Sequence, residues 1–286
     1  MLPGMAGKPS IAVVGPGRLG TALTLALARA GYKVVEVISR AGSEGRAKAL
    51  AKTVGARAAV ASNDPITADL LWLCVPDSEI SALARALAKK KVWQGKVALH
   101  ASGALASDEL DELRKRGAVV ASAHPLMTFV RGSTPSLAGV PWALEGDGAA
   151  VRVAKKIAHD LGGESSILSK AAKPAYHAWG AFLSPLLVAH LVTSEQVARA
   201  AGLSARAARK KMVPIVRQTI ANYAALGPAG AFSGPLVRGD AEVVRMHLRA
   251  LKKVPEAREV YLALARAALR QLPVERRKRL EKILAG

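Results

Sequence analysis

From Ile11 to Ser169 the chain alternates short apolar runs with longer stretches in which apolar positions recur every three or four residues. The runs Ile11–Gly15, Lys33–Ser39, Leu70–Val75, Lys96–His100, Ala118–Ser122, Val140–Glu145 and Ser165–Ser169 are predicted strands. Between them Leu19–Ala30, Gly45–Thr53, Ser78–Lys91, Ser107–Arg116 and Ala149–Leu161 carry the helical period. Strands that alternate with helices need crossover connections, so the pattern predicts a mostly parallel, doubly wound α/β sheet covered on both faces. After Lys170 the strand signals stop. Five helical patterns follow: Ala171–Ala200, Ser204–Leu226, Ala241–Leu251, Pro255–Leu269 and Pro273–Leu284. Gly202 suits the end of the first and Ser204 the N-cap of the second. Pro255 and Pro273 suit first-turn positions. Two domains are therefore expected, an α/β domain over residues 1–169 and an all-α domain over residues 170–286.

The first predicted strand runs straight into Gly15-Pro16-Gly17-Arg18-Leu19-Gly20, which opens the first helix. A G-x-G-x-x-G motif in that strand–helix context is a dinucleotide-binding signature and makes the α/β part a Rossmann domain. Gly15 permits the tight turn, Gly17 lets the backbone approach the pyrophosphate, and Gly20 lets helix and strand pack closely. The helix N-terminus offers free amides and a partial positive charge to phosphate. The end of the second strand chooses the cofactor. NAD-preferring domains place a carboxylate there, whereas this chain has Ser39-Arg40, followed by Ser43 and Arg46. An arginine and a hydroxyl suit a 2′-phosphate, so NADP(H) is expected in preference to NAD(H). Glu36 lies mid-strand, too early for the ribose. Val75-Pro76-Asp77 follows another strand and is expected along the ribose and nicotinamide side.

Further motifs occur in order: Cys74-Val-Pro-Asp-Ser-Glu-Ile80, His100-Ala-Ser-Gly103, His124-Pro125, Lys173-Pro-Ala-Tyr-His177 and Gly234-Pro-Leu-Val-Arg-Gly-Asp240. With the glycine motif they resemble an uncharacterised family of Rossmann-like oxidoreductases with a helical C-terminal domain of unknown function. That family is similar to pyrroline-5-carboxylate reductases, β-hydroxyacid dehydrogenases and reductases grouped with the deazaflavin-dependent NADP oxidoreductases. The resemblance spans almost the whole chain and implies hydride transfer, without naming a substrate. It also likens Ser102-Gly103 to the substrate-anchoring turn of β-hydroxyacid dehydrogenases, with Ser102 and the Gly103 amide holding a carboxylate. Those dehydrogenases carry a catalytic lysine and a partner asparagine on one helix. Here Ser184-Pro185 stands where Ser-Asn is expected.

On that helix Lys173, His177 at about +40° and Ser184 at about +20° share one stripe. Hydride transfer to C=O or C=N needs a group that stabilises or protonates the heteroatom. Lys173 is the first candidate, His177 the second, and Ser184 completes the catalytic set. Gly180 in mid-stripe leaves room for a close approach, and Pro185 is expected to kink the helix near Ser184. The strand ends add His100, Ser102, Gly103 and His124 as substrate-binding candidates, since ligands bind at the carboxyl ends of parallel strands. Arg238, in a Gly/Pro-rich loop, can clamp a substrate carboxylate or pair with Asp240, itself a possible cap of the helix from Ala241.

Composition narrows the class. Of 286 residues, 42 are basic and 21 acidic, and the part from Lys170 onward holds 21 basic against 7 acidic. That surface attracts anions, but no nucleic-acid module or aromatic interleaving accompanies it, so no specific nucleic-acid partner is expected. The single cysteine, Cys74, excludes an internal disulfide, fits a reducing cytoplasm and is expected as a buried small hydrophobe. The six histidines show no metal-ligand spacing, and no metal is expected. Ala175–Val192 is apolar but carries two histidines, a serine and a proline. It is expected as a buried helix at a domain or subunit interface, not a membrane span. The sequence thus describes a cytoplasmic NADP(H)-dependent oxidoreductase acting on a small carbonyl or imine that bears a carboxylate. Its helical domain closes the substrate cleft and forms a homodimer. The alternative is a non-catalytic NADP(H)-binding redox sensor or scaffold.

Overall fold

The computed structural model describes residues 7–61, 64–90 and 93–285. Eight strands form one sheet: β1 (Ile11–Val14), β2 (Val34–Ser39), β3 (Arg57–Val60), β4 (Leu70–Leu73), β5 (Val97–His100), β6 (Val119–Pro125), β7 (Pro141–Gly146) and β8 (Glu164–Ile167). Their order is β3-β2-β1-β4-β5-β6-β7-β8. β1 to β6 run parallel, and only the β6–β7 pairing is antiparallel. The chain moves outward from β1 through β2 and β3, then returns to place β4 on the other side of β1. That reversal makes the β1/β4 boundary a topological switch point, where a crevice opens at the carboxyl ends of the strands.

Period-2 alternation sends each central strand to two cores. Ile11, Val13, Leu70, Trp72, Val97 and Leu99 face one side. There α1 (Arg18–Arg29), α2 (Glu44–Val54) and α5 (Gly148–Asp160) cover them with residues such as Leu23, Leu27, Leu50 and Ile157. Ala12, Val14, Leu71, Leu73 and Ala98 face the other. α3 (Asp77–Ala88) and the short α4 (Asp111–Arg114) close that side through Ile80, Leu87 and Leu113. Burial on both faces explains why these strands read as continuous apolar runs. The expected end of the α3 helix, Lys91, lies outside the described residues.

Two strands depart from expectation. β3 gave no apolar run, because only Ala59 of Arg57-Ala-Ala-Val60 is buried. Its placement rests on pairing with β2 and on Arg57, which donates to the buried Glu36 carboxylate at 2.8 Å. β6 continues through His124-Pro125, paired antiparallel with β7, so these residues belong to the strand's end and not to a loop beyond it.

The chain divides into compact units at Ala181/Phe182, not at Ser169/Lys170 as expected. Residues 170–181 belong with the sheet because Lys173, which opens α6 (Lys173–Leu183), is buried against strand-end groups. The expected single helix Ala171–Ala200 is two. Ser184, at φ −128° and ψ −80°, interrupts it before α7 (Pro185–Ala200), with Pro185 at the new first turn. This is the break that a proline demands of the preceding helix. In the second unit α8 (Ala205–Ala231) is capped by Ser204, whose hydroxyl accepts from the Ala207 amide. α9 (Ala241–Ala250), α10 (Pro255–Gln271) and α11 (Arg277–Ala285) pack through Val244, Leu248, Leu262, Leu269, Leu280 and Leu284. Pro273 lies ahead of α11 and does not start it. The stretch 170–200 is long and apolar enough to cross a membrane by composition, and its most apolar window is not buried within the chain. The expected burial of this helix is therefore not seen among the described residues.

Candidate active site

The crevice at the switch point has a volume of about 430 Å3. Gly15, Pro16 and Gly17 after β1, Ser39, Arg40, Ser43 and Arg46 around the end of β2, and Cys74, Val75 and Pro76 after β4 line it. Each glycine of the motif has a separate cause. Gly15 has φ +93°, and a Cβ there would lie 2.5 Å from the Cys74 carbonyl oxygen. A Cβ on Gly20 would lie 2.0 Å from the Gly15 oxygen, so helix and strand meet only if this residue is glycine. Gly17 has open space on its side-chain side, as a backbone meant to face a ligand requires. The first helical hydrogen bond of α1 runs from the Thr21 amide to the Gly17 carbonyl. The amides of Arg18, Leu19 and Gly20 therefore remain as donors at the helix end.

Among the described residues the buried Ser39 hydroxyl, which also lines the crevice, has no hydrogen-bond partner. An orphaned hydroxyl in a ligand-sized cleft marks a place where a ligand completes the bonding. Arg40 lies 3.7 Å from Glu79 on α3, and its side chain is 75% exposed. So open an ion pair contributes little and yields readily to a phosphate. Ser43 precedes α2 without capping it, which leaves its hydroxyl available. Glu36 is fully engaged elsewhere, accepting from Arg57 and from the Thr67 amide and hydroxyl. The residues present therefore fit a dinucleotide with a phosphorylated ribose. Cys74 is half-buried at the crevice wall, and burial pushes its thiol up to about 12, which leaves it unreactive.

Beside this crevice a polar cluster joins the ends of β5 and β6 to α6. Asp77, next to crevice-lining Pro76, accepts from the Ser102 hydroxyl at 2.9 Å. The same hydroxyl accepts from the amides of Ala104 and Leu105. Ser102 is thus spent on holding its own turn, and its expected role as a carboxylate anchor is corrected. His100 is likewise structural. Its Nδ1 accepts from the Ser102 amide, which fixes Nε2 as the donor to the Ala106 carbonyl at 3.0 Å. Burial lowers its pKa to about 4, so the ring stays neutral. The Gly103 amide has no acceptor among the described residues. A Cβ on Gly103 would lie 2.8 Å from His177 Cδ2 and 3.0 Å from His124 Cε1 and Nε2. The three therefore meet at one point.

Lys173 is 1% exposed. Its Nζ donates to Ser122 Oγ at 2.7 Å and to the Ser102 carbonyl at 3.1 Å. Burial lowers its pKa to about 8, and the nearby Glu145 and Asp77 charges only partly offset this. The ammonium braces the Ser102–Gly103 turn and is not presented to solvent. The side chain that sequence reasoning passed over is Tyr176. Its hydroxyl stands 3.4 Å from His124 Nδ1, and the two rings meet edge-on at 5.7 Å. Burial raises Tyr176 to about 12 and lowers His124 to about 4, with Lys173 contributing to the latter. Both groups are neutral at physiological pH. His177 is exposed, with its ring 6.3 Å from that of His124. The space at Gly180 is taken by Leu126, whose Cδ1 would lie 3.2 Å from a Cβ there. Ser184 falls at the helix break, off the stripe assigned to it. In the second unit Arg238 is paired with Asp240 at 2.8 Å and is not a free clamp. Asp240 precedes α9 without a side-chain cap, because Arg238 occupies it. Among the described residues no group of histidine, cysteine and carboxylates could hold a metal ion.

The comparisons with known proteins agree with this architecture. Residues 5–125 match the Rossmann-like domain, and residues 140–268 match a domain of unknown function, DUF2520. The chain is therefore a Rossmann-like domain followed by a DUF2520 domain. No curated protein matches it in sequence. Among solved structures it is similar to a Bacteroides fragilis protein described as a "putative NADP oxidoreductase", with a TM-score of 0.75 at 22% identity over 91% of this chain and 97% of that one. It is also similar to an imine reductase from Myxococcus stipitatus in complex with NADP+, with a TM-score of 0.68 at 18% identity over 97% of this chain and 100% of that one. A reductive aminase from Aspergillus terreus in complex with NADPH4, cyclohexanone and allyl amine gives 0.65 at 19% identity over the same shares. At such identities the likeness establishes the fold.

Proposed function

We propose that this protein is an NADP(H)-dependent reductase that transfers a hydride to a small carbonyl or imine. The orphaned Ser39 hydroxyl beside Arg40 and Ser43, in the crevice of a dinucleotide motif, carries the cofactor assignment. The solved NADP(H) complexes of an imine reductase and a reductive aminase with this fold support the reaction class. A bound cofactor supplies the hydride. The chain's own part is to hold the acceptor at the strand ends, where Asp77 ties the Ser102–Gly103 turn to the crevice wall. There the Tyr176 hydroxyl is the candidate to protonate the heteroatom, with His124 as its partner. The Ser102 hydroxyl is spent within the chain and Arg238 is paired with Asp240, which leaves the Gly103 amide as the donor for a carboxylate or carbonyl oxygen of the substrate.

NADPH oxidation against a panel of ketones, keto acids and cyclic imines tests the reading. Turnover on a member of the panel is expected, and tight NADPH binding without any turnover would favour the redox sensor. In the same assay Arg40→Ala is expected to weaken NADPH binding about tenfold or more while NADH binding changes little, because only NADPH carries the 2′-phosphate. Equal losses would remove Arg40 from that role.

We also propose that the protein works as a homodimer. Leu186, Val188, Ile215, Ile220, Tyr223 and Leu226 on α7 and α8 are all exposed. Neighbouring exposed apolar residues of this size mark an interface, and self-association is the commonest way to cover one. Sedimentation of the wild type as a dimer is expected, with Ile215→Glu shifting it towards monomer. A monomeric wild type at micromolar concentration would rule the proposal out.

A further inference from the structure

A second cavity, of about 650 Å3, lies on the other side of the glycine loop. Gly17, Arg18 and Thr21 of the loop and α1, Arg46 of α2, and Arg131 and Ser133 from the β6–β7 connection line it. It shares Pro16, Gly17 and Arg46 with the dinucleotide crevice, so the two flank one loop. No carboxylate lines it. Among the described residues none of Arg18, Arg46 and Arg131 makes an ion pair. Three guanidinium groups from three elements around one cavity repel one another until an anion joins them.

The connection that brings Arg131 is anchored on both sides of its tip. Phe129 packs against the core and Leu137 is buried. Between them Val130–Ser133 forms a turn, with the Ser133 amide donating to the Val130 carbonyl and Gly132 at φ +77°. The tip is thereby held beside the N-terminus of α1, where the amides of Arg18, Leu19 and Gly20 remain as donors.

We infer that Arg131, together with Arg18 and the amide end of α1, binds the pyrophosphate of the dinucleotide. The 2′-phosphate falls instead to Ser39, Arg40 and Ser43 across the loop. This rests on the cofactor reading above and adds to it a phosphate-binding residue that the glycine motif does not contain. Arg131 meets a group common to both nicotinamide cofactors, whereas Arg40 meets one that only NADPH has.

Calorimetric titration of wild type, Arg131→Ala and Arg131→Lys with NADPH and with NADH separates the possibilities. Arg131→Ala is expected to weaken both cofactors about tenfold and to leave their ratio unchanged. Arg131→Lys is expected to recover part of the loss, since a point charge replaces a fork of donors. Unchanged affinity in Arg131→Ala would overturn the inference while the cofactor reading stood. A loss confined to NADPH would overturn it too, by moving Arg131 to the 2′-phosphate. A wild type that binds neither dinucleotide would overturn the cofactor reading itself, and this inference with it.

Discussion

Replacing Tyr176 with phenylalanine is expected to lower kcat for NADPH oxidation about 100-fold or more while NADPH affinity stays unchanged. The substitution keeps the ring that packs edge-on against His124 and removes only the hydroxyl. Without it, the nitrogen or oxygen that gains charge as hydride arrives has no neutral donor beside it. Burial holds Tyr176 up to about 12, so the proton is present across the working pH range. His124, lowered to about 4, faces the hydroxyl as a neutral ring and does not compete as an acid. His124→Phe is expected to slow turnover less, since it removes the partner that orients the hydroxyl and not the donor. If the Tyr176→Phe enzyme turned over within twofold of wild type, the donor role would pass to the exposed His177. A His177→Phe variant would then carry the large loss.

The sequence made the dinucleotide half of the site legible because that half is local. Six consecutive residues set a turn, an amide array and a close packing contact, and Gly15 and Gly20 have their reasons within a few ångströms of their own backbone. The strand–helix alternation was legible for a related reason, since central strands buried on both faces must be apolar throughout. β3 escaped because an edge strand needs little apolar surface and this one is placed by an ion pair from half-exposed Arg57 to the buried Glu36. The chemical half was harder. Spacing shows that a hydroxyl follows a strand, but not whom it bonds. Ser102 is consumed by Asp77, distant in the chain, and by its own turn. His100 looked identical to His124 in sequence, each at the end of a parallel strand. Only the Ala106 carbonyl, presented by the turn that follows, makes the first structural. Tyr176 lay between two polar residues that shared a tidier stripe, and Arg131 lay in a loop with no motif at all.

Lys173 is the case in which a proton-donating role and a positioning role can be separated by measurement. Lys173→Ala is expected to destabilise the protein by about 3 kcal/mol, through the cavity left by a fully buried side chain and the loss of its bonds to Ser122 and Ser102. Lys173→Met fills the space without a charge and is expected to be close to neutral at pH 7. Removing a buried ammonium that makes no ion pair among the described residues recovers much of what the lost hydrogen bonds take away. The pH dependence distinguishes the two forms of the site. The folded pKa, about 8, lies below the ordinary 10.5, so the native state gives up its proton first. Between these values the unfolded chain binds more protons, and stability rises with pH. The contribution amounts to about 3 kcal/mol by the upper end of the window. Below pH 8 both states hold the proton and the burial cost is present in full. Wild type minus Lys173→Met should therefore show a difference in unfolding free energy that grows in favour of wild type between pH 8 and 10.5, because only wild type sheds that cost. A flat difference would mean that the ammonium is not desolvated as its burial implies. Turnover gives the second readout. A stable Lys173→Met protein with normal NADPH affinity and a raised KM would identify a lysine that positions the Ser102–Gly103 turn. A pure kcat loss with KM unchanged would instead return Lys173 to the chemistry itself.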